Sequence, residues 1–405
     1  VNNNYNPLTI DGTAKKVVGF TGLTNSNGVL TYTGNYAKYN EIQTQSEDDE
    51  DEEVVSEDST TESVLYTLKK TGEFVELSSP LDKEWPYSEI KTVKDKYNNS
   101  FTQFPKMYMS YSYNRAGYLD GVSFANYKVD DSYFINDCYL KQDGSGTYSD
   151  YFYIGQFEAS GSTDKLYSVP SATPLVNITR EEGRTAARAY GSAKNYYNGY
   201  QQLDITMWDM YALLVSMYLK TDNVQSVYAG PTDLTSSVTT GTTAPISTMN
   251  GWNTSTHAVK FLGVENAYGS VSEWCDGINF SGTEIFYQSN PNNFTDTIDK
   301  TSDVIIEFER PTTTGYTELL MTGTSDKTQS VIYPAFSVAS ESEDDGNYED
   351  DYYGYSSTGT VLFVGGSYRF GAKAGLFCFD GNLDSSYTDG RLGSRLCGRS
   401  LSGVS

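Results

Sequence analysis

Two helices stand out in the middle of a chain that otherwise reads as short strands and turns. Thr179-Arg-Glu-Glu182 is a capping box, with Thr179 at the N-cap and Glu182 at the third helical position. The helix that follows, through Ala186, Ala187 and Tyr190, presents small residues for close packing. The second helix follows Asp204, a natural N-cap. Ile205, Trp208, Ala212, Val215 and Leu219 recur at spacings of three and four, the mark of a buried helical stripe. Trp208 lies on that stripe and reads as core. The order is strands, two helices, then loops and strands. It predicts an α+β domain rather than alternating βαβ units.

At 405 residues the chain can hold two or three domains. Val17-Val-Gly-Phe20 and Val64-Leu-Tyr-Thr-Leu68 are strand candidates near the start. Between them lies Ser46-Glu-Asp-Asp-Glu-Asp-Glu-Glu53, continuing to Glu57-Asp58. Like charges in a block repel and cannot pack, so 46–58 reads as a solvated loop or a disordered tract. The other reading is a trap for a cation or a basic partner. Residues 1–80 are expected to form a small β-rich attachment or oligomerisation module, and residues 81–405 a second domain. Tyr151-Phe-Tyr-Ile-Gly-Gln-Phe-Glu-Ala159 alternates well enough for a strand on a core. Residues 222–260 are rich in Thr, Ser, Gly and Asn and read mostly as loop. A second acidic tract, Glu341 to Asp345 with Glu349 to Asp351, runs into Tyr352-Tyr353-Gly354-Tyr355.

The formal net charge is −25, which disfavours any nucleic-acid partner reached by neutralising phosphates. Such acidity suits a neutral or cationic partner. No run of about 18 apolar residues occurs, so no membrane insertion is expected. The start, Val1-Asn-Asn-Asn-Tyr5, has neither the basic flank nor the apolar block of a signal peptide. A secreted protein and one assembled inside a host cell both stay open. Cys138, Cys275, Cys378 and Cys397 form no C-x-x-C pair, so zinc-ribbon and thioredoxin-like readings fail. Free thiols are expected, with a Cys378–Cys397 bridge open.

Histidine occurs once, at His257, so a Ser-His-Asp triad depends on that residue and a two-histidine metal site is impossible. Asp380-Gly-Asn382-Leu-Asp384 begins like a calcium loop, with oxygen ligands at alternate positions. It then departs, with Ser385 where the turn needs glycine and Arg391 where a bidentate glutamate belongs. No spacing among the 53 acidic residues singles out a glycosidase pair. No cofactor and no metal is expected.

The C-terminal stretch 361–396 mixes two kinds of position. Val361 to Val364 is an apolar run fit for a buried strand, Gly365-Gly366 turns the chain, and Ala374-Gly-Leu-Phe377 starts a second strand. Tyr368, Arg369, Phe370, Lys373, Cys378, Asp380, Leu383, Tyr387, Asp389 and Arg391 share no size, charge or polarity. A regular core framing miscellaneous, exposed residues is how a binding surface is built. An ordinary hairpin with a variegated outer face would read the same way. Tyr352 to Tyr355 beside it either extends that surface or belongs to a solvated loop.

Three blocks together resemble one superfamily. They are Tyr153-Ile-Gly-Gln-Phe-Glu158, Gly269-Ser-Val-Ser-Glu-Trp274, and Gly365-Gly-Ser-Tyr368 with Gly393-Ser-Arg-Leu396. They look like the C-type-lectin-like fold of the formylglycine-generating sulfatase-modifying family, over roughly residues 85–397. The terminal block is similar to the retroelement-diversified variable proteins of phages and bacteria, including phage tropism determinants on tail fibres. The resemblance implies two helices packed on short antiparallel sheets. It implies a diversified C-terminal face that binds a bacterial cell-surface receptor, protein or glycan. It also implies a homotrimer joined to phage tail or virion proteins, at a tail-fibre tip. A diversified adhesin on a bacterial or prophage-encoded cell surface is the alternative.

On that surface Tyr368, Phe370 and Tyr387 would be anchors. Arg369, Asp380, Asp389 and Arg391 would set polar specificity. The 35 tyrosines suit such a role, since each offers a large, rigid contact at low entropic cost. An enzyme is not expected. The sulfatase-modifying enzymes carry two copper-binding cysteines after the Gly-Ser-Tyr motif. Phe370 and Gly375 stand at the matching positions, and neither offers the thiolate that Cu(I) needs.

Overall fold

The helix Ile205–Leu219 (α2) is the spine of the molecule. In the computed structural model every one of its residues is buried, so its apolar surface runs right round rather than along one stripe. Asp204 starts it by accepting from the backbone N–H groups of Thr206 and Met207 at 2.9 and 3.2 Å. Lys220, in the left-handed region at φ 56°, ends it. Several bonds tie α2 to its surroundings, three of them to strands. Trp208 Nε1 donates to the Leu376 carbonyl at 3.0 Å, and Tyr211 Oη to that of Phe261 at 3.1 Å. The Ile332 N–H donates to the Asp209 carboxyl at 2.7 Å. Those partners lie on strands of two different sheets.

The structure describes residues 9–10, 13–24, 30–34, 52–53, 66–190, 198–339 and 351–405. The acidic tracts predicted at 46–58 and 341–351 lie outside these residues, apart from the strand Glu52–Glu53 and Asp351. Val64 and Leu65 of the predicted strand also lie outside, and the strand that is described runs Thr67–Thr71.

Strands dominate. Among the described residues there are thirty strands in seven sheets, against two α-helices. The expectation of an α+β C-type-lectin-like domain, two helices packed on short antiparallel sheets, is therefore corrected. The largest sheet has seven strands and is mixed. Its order is Ile332–Val338, Gly315–Thr322, Tyr352–Tyr355, Gly375–Leu383, Val361–Gly365, Ser272–Cys275 and Leu392–Gly393. Tyr352–Tyr355 runs parallel to Gly375–Leu383, and Ser272–Cys275 parallel to Leu392–Gly393. The misreading has a physical cause. Fifteen residues of helical periodicity are conspicuous, whereas short strands buried on both faces show no alternation to detect.

The division expected at residue 80 is crossed by two sheets. Val17–Thr21 pairs with Leu119–Ala125, and Phe74–Ser78 pairs with Asn250–Asn253. Val18, Phe20 and Leu77 belong to the same buried cluster as α2. The first helix, Arg180–Ala187 (α1), has the predicted capping box: Thr179 and Glu182 exchange side-chain bonds with each other's backbone N–H. Its Ala186 and Ala187 pack with Tyr190 and Tyr200 in a second cluster. Its arginines are buried. Arg184 reaches Asp276 at 2.7 Å, and Arg180 reaches Asp296 at 2.8 Å. The helix is thus fastened by charge as well as by small residues.

Candidate functional site

The C-terminal stretch supplies the two central strands of the seven-stranded sheet. Val361–Gly365 pairs antiparallel with Gly375–Leu383, setting Phe363 opposite Asp380 and Gly365 opposite Gly375. Gly365 and Gly366 turn the chain at φ 84° and 73°. A Cβ on Gly365 would lie 2.4 Å from the Ala267 carbonyl oxygen, and one on Gly366 2.8 Å from Ala374 Cα, so both positions demand glycine. Tyr368 is then held by its backbone: its N–H donates to Ser270 and its carbonyl accepts from Leu234.

Beneath the stretch, the three blocks of the family resemblance meet at one buried side chain. Arg395 pairs with Glu273, its Nε lying 2.8 and 2.9 Å from the two carboxylate oxygens. Its Nη1 donates to the Gly155 carbonyl at 2.9 Å, and its Nη2 to those of Glu265 and Asn266. Glu158 binds the second block directly, accepting from Val271 N at 2.8 Å and Ser270 Oγ at 3.0 Å. Trp274 donates from Nε1 to the Ile178 carbonyl and packs edge-on against Phe363. Arg399 reaches back to Asp204, the cap of α2, at 2.7 Å. Arginines suit this work because one planar fork satisfies several carbonyls and a carboxylate together. The frame is rigid because breaking any of these buried pairs strands a charge.

On that frame sits an open cleft of about 370 Å³. Eight of the ten predicted residues line it: Arg369, Phe370, Lys373, Asp380, Leu383, Tyr387, Asp389 and Arg391. Two do not. Cys378 is 0 % exposed, which corrects its assignment to a binding surface. It lies on a central strand whose first seven residues are all buried, so its neighbours on both sides cover it. Tyr368 is half-buried outside the cleft, with the Arg369 guanidinium 5.7 Å from its ring.

The cleft has a hard floor and a charged rim. Asp380 is only 3 % exposed, and burial pushes its carboxyl up to about 7. Gly354 on the neighbouring strand leaves room for it, since a Cβ there would come within 2.0 Å of Asp380 Oδ1. Tyr352 stands beside it, its hydroxyl pushed up to about 12 by burial and by the Asp380 charge. Tyr352 and Phe370 meet edge-to-face at 6.0 Å, and Lys373 Nζ lies 5.7 Å from the Tyr352 ring. On the far rim Arg391 grips Asp389 with bonds of 2.8 and 3.0 Å, holding that carboxyl below its usual range. Tyr387, 37 % exposed, reaches Asp389 Oδ2 at 3.3 Å.

Ser272, Tyr352, Phe363, Asn382 and Leu392 also line the cleft. Tyr352 belongs to the tyrosine run that reads either as an extension of the surface or as a solvated loop, and it lines the cleft. Asn382 follows Asp380 by the two-residue alternation of a strand, the same spacing that gives Asp380-Gly-Asn382 its calcium-loop look. Phe363 and Leu392 carry no sequence signal, since an apolar strand residue reads as core. Ser272 is brought in from a distant strand by the bond from its N–H to the Arg391 carbonyl. All four cysteines are free and buried, and among the described residues no cluster of histidine, cysteine or acidic groups could hold a metal ion. Among them, too, no helix is long and apolar enough to cross a membrane.

No protein-family model and no curated protein sequence matches the chain. A solved structure, the "Major Tropism Determinant U1 Variant", is similar over 82 % of this chain and 71 % of its own. The identity is 12 % and the TM-score 0.28, a loose likeness.

Proposed function

We propose that this chain is a receptor-binding protein that uses the C-terminal cleft to engage a molecule on a bacterial surface, as a phage tropism determinant does. One observation carries the reading. Eight chemically unrelated side chains from one stretch converge on a single open cleft, above a frame whose own bonds are buried. Side chains on the rim can change without disturbing Arg395, Glu273 or Glu158, which is what a diversified face requires. The three blocks that resemble the sulfatase-modifying superfamily meet in this frame, and the terminal block, the one similar to retroelement-diversified proteins, also carries the face. In the full reading, the chain is displayed as a homotrimer at the tip of a phage tail fibre. Several weak contacts then act together, multiplying the affinity of any one.

In this reading the cleft binds its ligand without transforming it; the Cys378 thiol lies outside the cleft, and burial raises it well above its usual range. The test is adhesion. The labelled full chain is incubated with a panel of bacterial isolates, alongside Tyr387→Ala and the double variant Arg369→Ala/Lys373→Ala. These side chains are at the rim, so stability should stay within about 0.5 kcal/mol. Cell-bound signal should drop at least tenfold on the isolate that binds. Undiminished adhesion by both folded variants refutes the reading.

A further inference from the structure

The chemistry of the cleft narrows what a receptor must present to it, an inference that rests on the binding reading above. The floor asks for hydrogen-bond donors. Asp380 is nearly fully buried, accepts one bond, from the Asn382 N–H at 3.1 Å, and has no cation beside it among the described residues. Asn382 hydrogen-bonds the Tyr352 hydroxyl through its side chain, while its buried Oδ1 accepts no bond. A buried acceptor left without a donor is costly, so a ligand that donates here recovers that cost. The walls are aromatic, from Tyr352 and Phe370. The mouth is cationic: Arg369 and Lys373 are exposed, and among the described residues no carboxylate pairs with either. In a chain of formal charge −25, that places two cations with no carboxylate partner among the described residues beside a floor of acceptors.

We propose that the cleft takes an acidic sugar. Adjacent ring hydroxyls donate to Asp380 and Asn382, the C–H face of the ring lies on Tyr352 and Phe370, and the carboxylate or phosphate pairs with Lys373 and Arg369. The volume, about 370 Å³, is near the lower end for small-molecule sites and accommodates a short saccharide. Competing ligands satisfy only part of the site. A lysine or arginine side chain would meet Asp380 but be repelled by Arg369 and Lys373. An apolar side chain would leave both floor acceptors dry. A bare anion would use the mouth and ignore the floor.

The experiment uses the full chain with matched pairs of methyl glycosides: glucuronide with glucoside, galacturonide with galactoside, and glucose 6-phosphate with glucose. Acetate and phosphate serve as bare-anion controls, with binding read by saturation-transfer NMR and calorimetry. At least one acidic sugar should bind tenfold or more tightly than its neutral parent and than either bare anion. Arg369→Ala/Lys373→Ala should erase the preference for the acidic partner. Asp380→Asn, which keeps the shape of the floor, should alter affinity for acidic and neutral members alike. Equal binding within every pair, binding of acetate or phosphate as tight as any sugar, or no binding by any sugar overturns the inference. In the last case, cleft variants that still lose adhesion leave the receptor-binding reading intact, and loss of adhesion after protease treatment of the cells points to a protein receptor.

Discussion

Replacing Asp380 with asparagine should flatten the dependence of stability on pH. Burial lifts this carboxyl from 3.8 to about 7. A tenfold change in an ionisation constant is worth about 1.4 kcal/mol, so ionising Asp380 costs the folded chain about 4 kcal/mol more than it costs the open chain. The sign follows from proton linkage. For an acid whose folded pKa is raised, the favourable contribution is complete below pH 4 and is lost as the pH climbs through about 7. Between pH 5 and pH 9 the loss amounts to about 3 kcal/mol. Asparagine is neutral throughout, matches the shape, and keeps an acceptor for the Asn382 N–H. Glu158 and Asp209 are also pushed up by burial, but they titrate in both proteins and cancel in the difference. The assay is urea unfolding at pH 5, 7 and 9 for both proteins. The gap should swing by about 3 kcal/mol in favour of the variant as the pH rises. Parallel curves would mean that Asp380 is already hydrated or paired, and the account of a dry, donor-seeking floor would fall.

Three further outcomes are expected. Arg395→Met strands Glu273 in the interior and should cost about 3–5 kcal/mol in urea unfolding, while adding Glu273→Leu should restore a good part of it. Asp204→Ala removes the cap of α2 and the partner of Arg399, and should cost about 2 kcal/mol or more, seen as a lower thermal midpoint. The four thiols should resist iodoacetamide in the native protein and all react in urea, read by mass spectrometry, because burial both covers them and raises their pKa.

The cleft was legible in sequence to the extent that its residues sit on one continuous stretch. Arg369 to Arg391 could be picked out because no packing rule explains their mixture, and most of them do face one space. Cys378 failed the same reasoning, because a polar-capable residue on a central strand can be wholly covered by its neighbours. Phe363 and Ser272 were illegible for the opposite reason. One looks like core, and the other reaches the site through the pairing of Ser272 with Leu392, which sets its N–H on the Arg391 carbonyl. The helices were legible down to their caps, Thr179 and Asp204. Their prominence hid how much of the molecule is sheet, and the burial of α2 on every side shows why: a helix enclosed by strands needs many of them.

The central claim is a fixed frame under a variable face. Deep sequencing of this gene across a natural population tests it most directly. Substitutions should concentrate at Arg369, Phe370, Lys373, Leu383, Tyr387, Asp389 and Arg391 on the cleft, while Arg395, Glu273, Glu158, Gly365 and Gly366 stay unchanged. An invariant cleft, with changes scattered over other loops, would contradict it and mark the site as one of fixed specificity.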